Sequence, residues 1–168
     1  MLTITVYIIV TMLPASKYKP PSFNRILVID DLPITSLGFQ AIFRRINPSA
    51  LVEYSENIFS ALSSGPHDNT LFDLIITGSL QENFSERLQQ AVAGLKKKFG
   101  DSRVMIYSSS YDPVIIEKME AAGIDAYVHR SEPIEEIGRV YCKLVKGERY
   151  VSEIFHTLYY EYEQRTRK

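Results

Sequence analysis

Asp30 and Asp31 are adjacent carboxylates set directly behind an apolar run, RILVI, at residues 25–29. A carboxylate pair in that position can ligate a divalent cation through oxygen, or supply the nucleophile and acid of a metal-dependent phosphatase. Three further apolar runs end on notable residues: 71–77 on Gly78, 103–107 on Ser108 and 126–129 on Arg130. Gly78 is the odd member of this set, because it brings no side chain to a place where strand ends carry chemistry. His67, His129 and His156 are the histidines. None stands by motif beside Gly78, so the flanking hydroxyls of Thr77 and Ser79 have no adjacent base to activate them.

The elements that must position these residues read as strand and helix in alternation. Strands are predicted at 25–29, 50–54, 71–77, 103–107 and 126–129, each β-branched or apolar and bounded by turn residues. Helices are predicted at 33–46, 58–62, 84–99, 113–122 and 133–146, the first and last opened by Pro33 and Pro133. Thr35, Gly38, Phe39, Ile42 and Ile46 mark the buried stripe of the first helix. Leu88, Ala91, Val92 and Leu95 mark that of the third. Five such alternations predict an α/β fold: a doubly wound five-stranded parallel sheet with helices on both faces, followed by a C-terminal helix. Ligands of such sheets bind outside the carboxyl ends of the strands, where Asp30, Asp31, Gly78, Ser108 and Arg130 all fall.

Composition narrows the function. Of 168 residues, 45 % are hydrophobic and 23 % charged, and 19 basic against 20 acidic side chains leave a net charge of -1. That balance argues against a nucleic-acid or anionic-membrane binder. Cys142 alone supplies neither a disulfide framework nor a thiolate metal cluster, which makes a cytoplasmic setting the expectation. The opening stretch MLTITVYIIVTML is too short to span a bilayer and has no basic residue before Lys17, unlike a secretory leader. An extra strand, a disordered arm or an upstream start remain open for it. KYKPPSFN reads as a linker, so residues 1–23 are divided from a main domain at 24–148. Residues 149–168 form a tail in which Val151, Ile154, Phe155, Leu158 and Tyr162 share a helical face. That stripe either folds back on the domain or pairs in a homodimer, and the dimer is the expectation.

RILVIDDLPI, DLIIT, SSSYDP, AAGIDAYVHR and GERYVS together resemble the receiver domain of two-component response regulators, particularly the branch with LuxR-type DNA-binding domains. The resemblance covers about residues 24–152. It implies the flavodoxin-like receiver fold, in which an acid pair holds magnesium and an aspartate at the end of the third strand accepts a phosphoryl group. A Ser or Thr and a Lys contact that group's oxygens. Carried over, Asp30 and Asp31 match the acid pair and Ser108 the hydroxyl, Arg130 replaces the Lys, and Gly78 stands in place of the phosphoacceptor. Tyr127 matches an aromatic switch residue, with plain packing as the alternative.

Glycine offers no nucleophile, so phosphorylation at position 78 is excluded, and magnesium is expected to bind weakly if at all. Arg130 is expected either to reach across Gly78 to Asp30 or Asp31, locking the pocket, or to point to solvent. The implied function is a receiver-like module that is not an enzyme and works through a protein partner in signalling or transcription control. Two alternatives stay open. One is the receiver part of a LuxR-type regulator whose DNA-binding domain is absent from this chain. The other is a phosphatase using Asp30 and Asp31. Nucleic-acid binding by this chain alone and membrane association are not expected.

Overall fold

A computed structural model describes residues 22–63, 70–78 and 84–166. The readings made for residues 1–21, for the loop after Gly78 and for the basic end of the tail lie wholly or partly outside them. The strands are β1 (Arg25–Ile29), β2 (Leu51–Ser55), β3 (Leu74–Thr77), β4 (Arg103–Ser108), β5 (Ala126–His129) and β6 (Tyr150–Val151). The helices are α1 (Pro33–Ile46), α2 (Ile58–Leu62), α3 (Phe84–Phe99), α4 (Pro113–Ala122), α5 (Ile134–Val145) and α6 (Glu153–Thr166). All strand pairs are parallel, in the order β2-β1-β3-β4-β5-β6. The chain steps from β1 outward to β2, then returns to the other side of β1 for β3. The strand order therefore reverses between β1 and β3, the place where sheets of this kind open a binding crevice.

The near-unbroken apolar strands are explained by burial on both faces. Alternation along each strand sends Ile26, Val28, Leu74, Ile76, Met105, Ala126 and Val128 to one face, where Phe39 and Phe43 of α1 and Ile137, Val140, Tyr141 and Leu144 of α5 cover them. Leu27, Ile29 and Ile75 go to the other face, against Ala61 of α2 and Leu95 and Phe99 of α3. Val104, Ile106 and Tyr127 share that second face with Ile115 and Met119 of α4. Phe43, not Gly38 or Ile46, completes the buried stripe of α1, since Gly38 and Ile46 are exposed. Val92 and Leu95 are buried on α3. The side chain of Leu88 lies outside the described set.

The sheet has six strands where the sequence predicts five. Tyr150 and Val151 pair with Ala126 and Tyr127, so Val151 lies in the sheet and not on the tail helix. Ser152 continues the ladder: its N–H donates to the Tyr127 carbonyl at 2.9 Å, and its hydroxyl accepts from the His129 N–H at 2.9 Å. This fixes the start of α6 and drives Phe155 into the domain. Phe155 is fully buried, stacked on Tyr127 with ring centroids 4.0 Å apart and meeting His129 edge-on at 5.2 Å. Leu158 packs beside it, while Ile154 and Tyr162 stay exposed. Phe155 and Leu158 thus fold back on the domain, one of the two readings open for this stripe, and Ile154 and Tyr162 are the members of it left on the surface.

Tyr127 is held from both ends. Its hydroxyl donates to the Ser110 carbonyl at 2.5 Å and accepts from the Asp112 N–H at 3.3 Å. Two outcomes are expected. Phe155→Ala should lower stability by about 3–4 kcal/mol in urea unfolding, as for a fully buried aromatic. Burial, opposed by the Asp112 N–H, pushes the Tyr127 phenol from its ordinary 10.0 up to about 12. The unfolded chain then loses its tyrosine proton first. Stability from this group is complete below pH 10 and falls as the pH climbs toward 12. In Tyr127→Phe, alkaline unfolding curves should show a shallower fall over that window.

Candidate functional site

β1, β3 and β5 each leave the sheet through one residue on the α1–α5 face: Asp30 continues the parity of Val28, Gly78 that of Ile76, and Arg130 that of Val128. Gly78 sits beside Asp30 because its N–H donates to the Ile29 carbonyl at 2.8 Å. Arg130 starts two strands farther over and must cross β4 and β3 to reach β1.

Asp30 is fully buried and Asp31 exposed, so the acid pair is divided. Asp30 Oδ1 accepts from the Leu32 N–H at 2.9 Å and from the Thr35 hydroxyl at 3.2 Å, which ties the carboxylate to the first turn of α1. Asp30 Oδ2 accepts from Arg130 Nη2 at 2.5 Å. The guanidinium is held along its path by Tyr107. Arg130 Nε donates to the Tyr107 carbonyl at 3.3 Å, and the cation lies 5.5 Å from the centre of the Tyr107 ring. The Tyr107 hydroxyl in turn donates to the Arg130 carbonyl at 3.2 Å. Burial raises the Tyr107 phenol above its ordinary range and the nearby Asp30 carboxylate adds to this, while Arg130 opposes it.

Gly78 makes this crossing feasible. A Cβ built there would overlap Asp30 Oδ2, come within 2.5 Å of Arg130 Nη2 and stand 3.0 Å from the Asp30 carboxyl carbon. The ion pair thus occupies the volume that any other residue at position 78 would fill.

The structure brings Asp30, Gly78 and Arg130 together but not the whole predicted set. The Ser108 hydroxyl accepts from the Ser110 N–H at 3.0 Å, within its own loop. Asp31 faces solvent. Thr35 and Tyr107 belong to the site and were not assigned to it from the sequence. Thr35 reads there as a helix-stripe position and Tyr107 as the end of an apolar strand. Their signal is positional: Thr35 lies in the first turn after the acid, and Tyr107 on β4 shares the face of Gly78.

A magnesium ion does not fit this arrangement. Both Asp30 oxygens already accept hydrogen bonds, position 78 offers no side-chain oxygen, and a permanent cation sits where a metal's charge would be. Among the described residues no group of three His, Cys, Asp or Glu side chains could hold a metal ion.

No family model matches the chain, and no curated protein matches it. Solved structures do. The isolated REC domain of RcsB from Salmonella enterica serovar Typhimurium, in the presence of phosphomimetic BeF3-, is similar with a TM-score of 0.63 at 17 % identity, over 80 % of this chain and 96 % of that one. A LuxR-family two-component response regulator from Aurantimonas sp. SI85-9A1 gives a TM-score of 0.68 at 20 % identity, over 84 % and 98 %. A response regulator from Thermotoga maritima gives 0.58 at 18 % identity, over 73 % and 97 %. The chain therefore has the flavodoxin-like fold of response-regulator receiver domains.

Removing one partner of a buried ion pair leaves the other charge stranded. Arg130→Met should cost about 3 kcal/mol in urea unfolding, read as a lower midpoint at unchanged slope. Gly78→Ala should also destabilise, although alanine normally gains over glycine in backbone entropy, because its Cβ needs the space of the Asp30 carboxylate.

Proposed function

We propose that this chain is an atypical receiver module, closed by its own ion pair, that acts in signal transduction or transcription control through protein contacts. It takes no phosphoryl group at position 78 and performs no catalysis. The observation that carries this reading is the Arg130–Asp30 pair lying through the space beside Gly78. In place of a metal and a transferred group that come and go, a side chain of the protein neutralises Asp30 permanently. Tyr127, bonded to the Ser110 carbonyl and covered by Phe155, is fixed in one position, as fits a module with one state. Ser108, bonded within its loop, is not drawn to the pocket.

The phosphatase alternative is weakened by the same contacts, since Asp30 is engaged at both oxygens and Asp31 lies outside the pocket. The reading as the receiver part of a LuxR-type regulator draws on the similarity to LuxR-family structures. It is compatible with the closed pocket, which concerns only how the module is switched. A cytoplasmic setting belongs to either version. No helix among the described residues is long and apolar enough to cross a membrane.

An amide NMR titration tests the proposal. Magnesium, then magnesium with beryllofluoride as a phosphoryl mimic, should leave Asp30, Gly78, Ser108 and Arg130 unshifted. Saturable shifts at these residues would mean a pocket that still opens to an ion, and the closed-module reading would fall.

A further inference from the structure

We propose that the cleft between α1 and α5 is a binding site for a free apolar α-amino acid, held by its charged ends at Arg130 and Glu132. The cleft has a volume of about 270 Å³. Pockets for drug-sized ligands run from about 300 to 1,000 Å³, so this one suits a smaller molecule. Phe39, Ile42 and Ile137 supply apolar walls. Gly38 makes the space. It lies inside α1, where glycine is an unfavourable residue. Neither backbone nor packing demands it there. Its φ is not positive, and nothing lies within 4 Å of the place its Cβ would take. What the missing side chain provides is open volume between two helices.

The polar groups of the cleft select the occupant. Arg130 Nη2 is spent on Asp30 and Nε on the Tyr107 carbonyl. Nη1 has no hydrogen bond among the described residues, and the side chain keeps 27 % of its surface exposed. Glu132 is half-buried in the same lining, and its carboxylate has no ion pair or hydrogen bond among the described residues. The cleft thus offers one unmet donor on a cation and one unmet anion beside an apolar wall. Charged groups partly removed from water favour a partner. A ligand carboxylate accepts from Nη1 in a charge-assisted bond, and a ligand ammonium donates to Glu132. The ligand's apolar side chain then covers Phe39, Ile42 and Ile137. A plain carboxylate would meet repulsion from Glu132, and a plain amine would leave Nη1 unmet. A zwitterion satisfies both. The inference deepens the proposed signalling role and rests on that reading for the meaning of the signal, not for binding. A pocket closed to metal and phosphoryl group takes its input at the outer edge of the residue that closes it.

Isothermal titration calorimetry on the full chain tests it, with L-leucine and L-phenylalanine as probes. At least one of them should bind saturably with a Kd of about 1 mM or tighter. Its N-acetyl derivative has no ammonium and its decarboxylated amine no carboxylate, so each should bind at least about tenfold more weakly. Glu132→Gln should weaken the amino acid by about tenfold. Gly38→Leu fills the cleft from an open helix position and should abolish binding with an unchanged circular dichroism spectrum. Weaker binding than this by both amino acids would overturn the inference. So would binding that survives Gly38→Leu, that is indifferent to Glu132→Gln, or that either derivative matches. Neither substitution alters Asp30 or Arg130. An empty cleft therefore leaves the closed pocket standing, and shifts with magnesium and beryllofluoride leave the amino-acid site standing.

Discussion

One ion pair sets the character of the molecule. Asp30 is wholly removed from solvent, and an isolated buried carboxylate is untenable without compensation. Leu32, Thr35 and Arg130 supply that compensation from two directions, one local and one from the far side of the sheet. The local bonds fix where α1 begins; the distant one fixes how β5 leaves the sheet. Tyr107 is fixed as a consequence, since it is the surface over which the guanidinium must travel. Gly78 is the condition for all of it. The absence of a side chain at position 78 is thus constructive, because it leaves open the corridor through which the cation arrives.

The opposite face of β5 is organised by a second device. Ser152 extends the hydrogen-bond ladder past a two-residue strand and turns the chain so that Phe155 stacks on Tyr127. The tail is therefore continuous with the sheet, and the tyrosine is bounded by α6 below and by the loop after β4 above. Both faces of β5 are held, one by charge and one by aromatic packing.

Much of this was legible in the residues. RILVI and LIIT read as strands because parallel strands buried on both faces are apolar throughout, with no polar alternation to confuse the period. Asp30, Gly78 and Arg130 could be grouped because topology alone sends the ends of such strands to one side. What escaped depended on distances too short or too particular for a pattern. Tyr150 and Val151 make a strand too brief to show a period. Asp30 and Asp31 are indistinguishable in sequence, yet one is buried under α1 and the other faces water. The Ser108 hydroxyl could have faced the pocket or its own loop, a choice of rotamer that spacing does not encode. Thr35 was hidden by its helix, where its position also satisfied an amphipathic pattern.

The pair between Asp30 and Arg130 spans a hundred positions of chain and four strands of the sheet. It can form only after β1, β3, β4 and β5 are side by side, so a partly assembled chain gains nothing from it. A contact of this kind lies late on the folding route and contributes little to the barrier on the way in. Its weight falls on the way out: the stabilisation it adds must be surrendered before the sheet can part, which slows escape from the native state. The closed pocket thereby gives the protein persistence in time as well as a fixed shape.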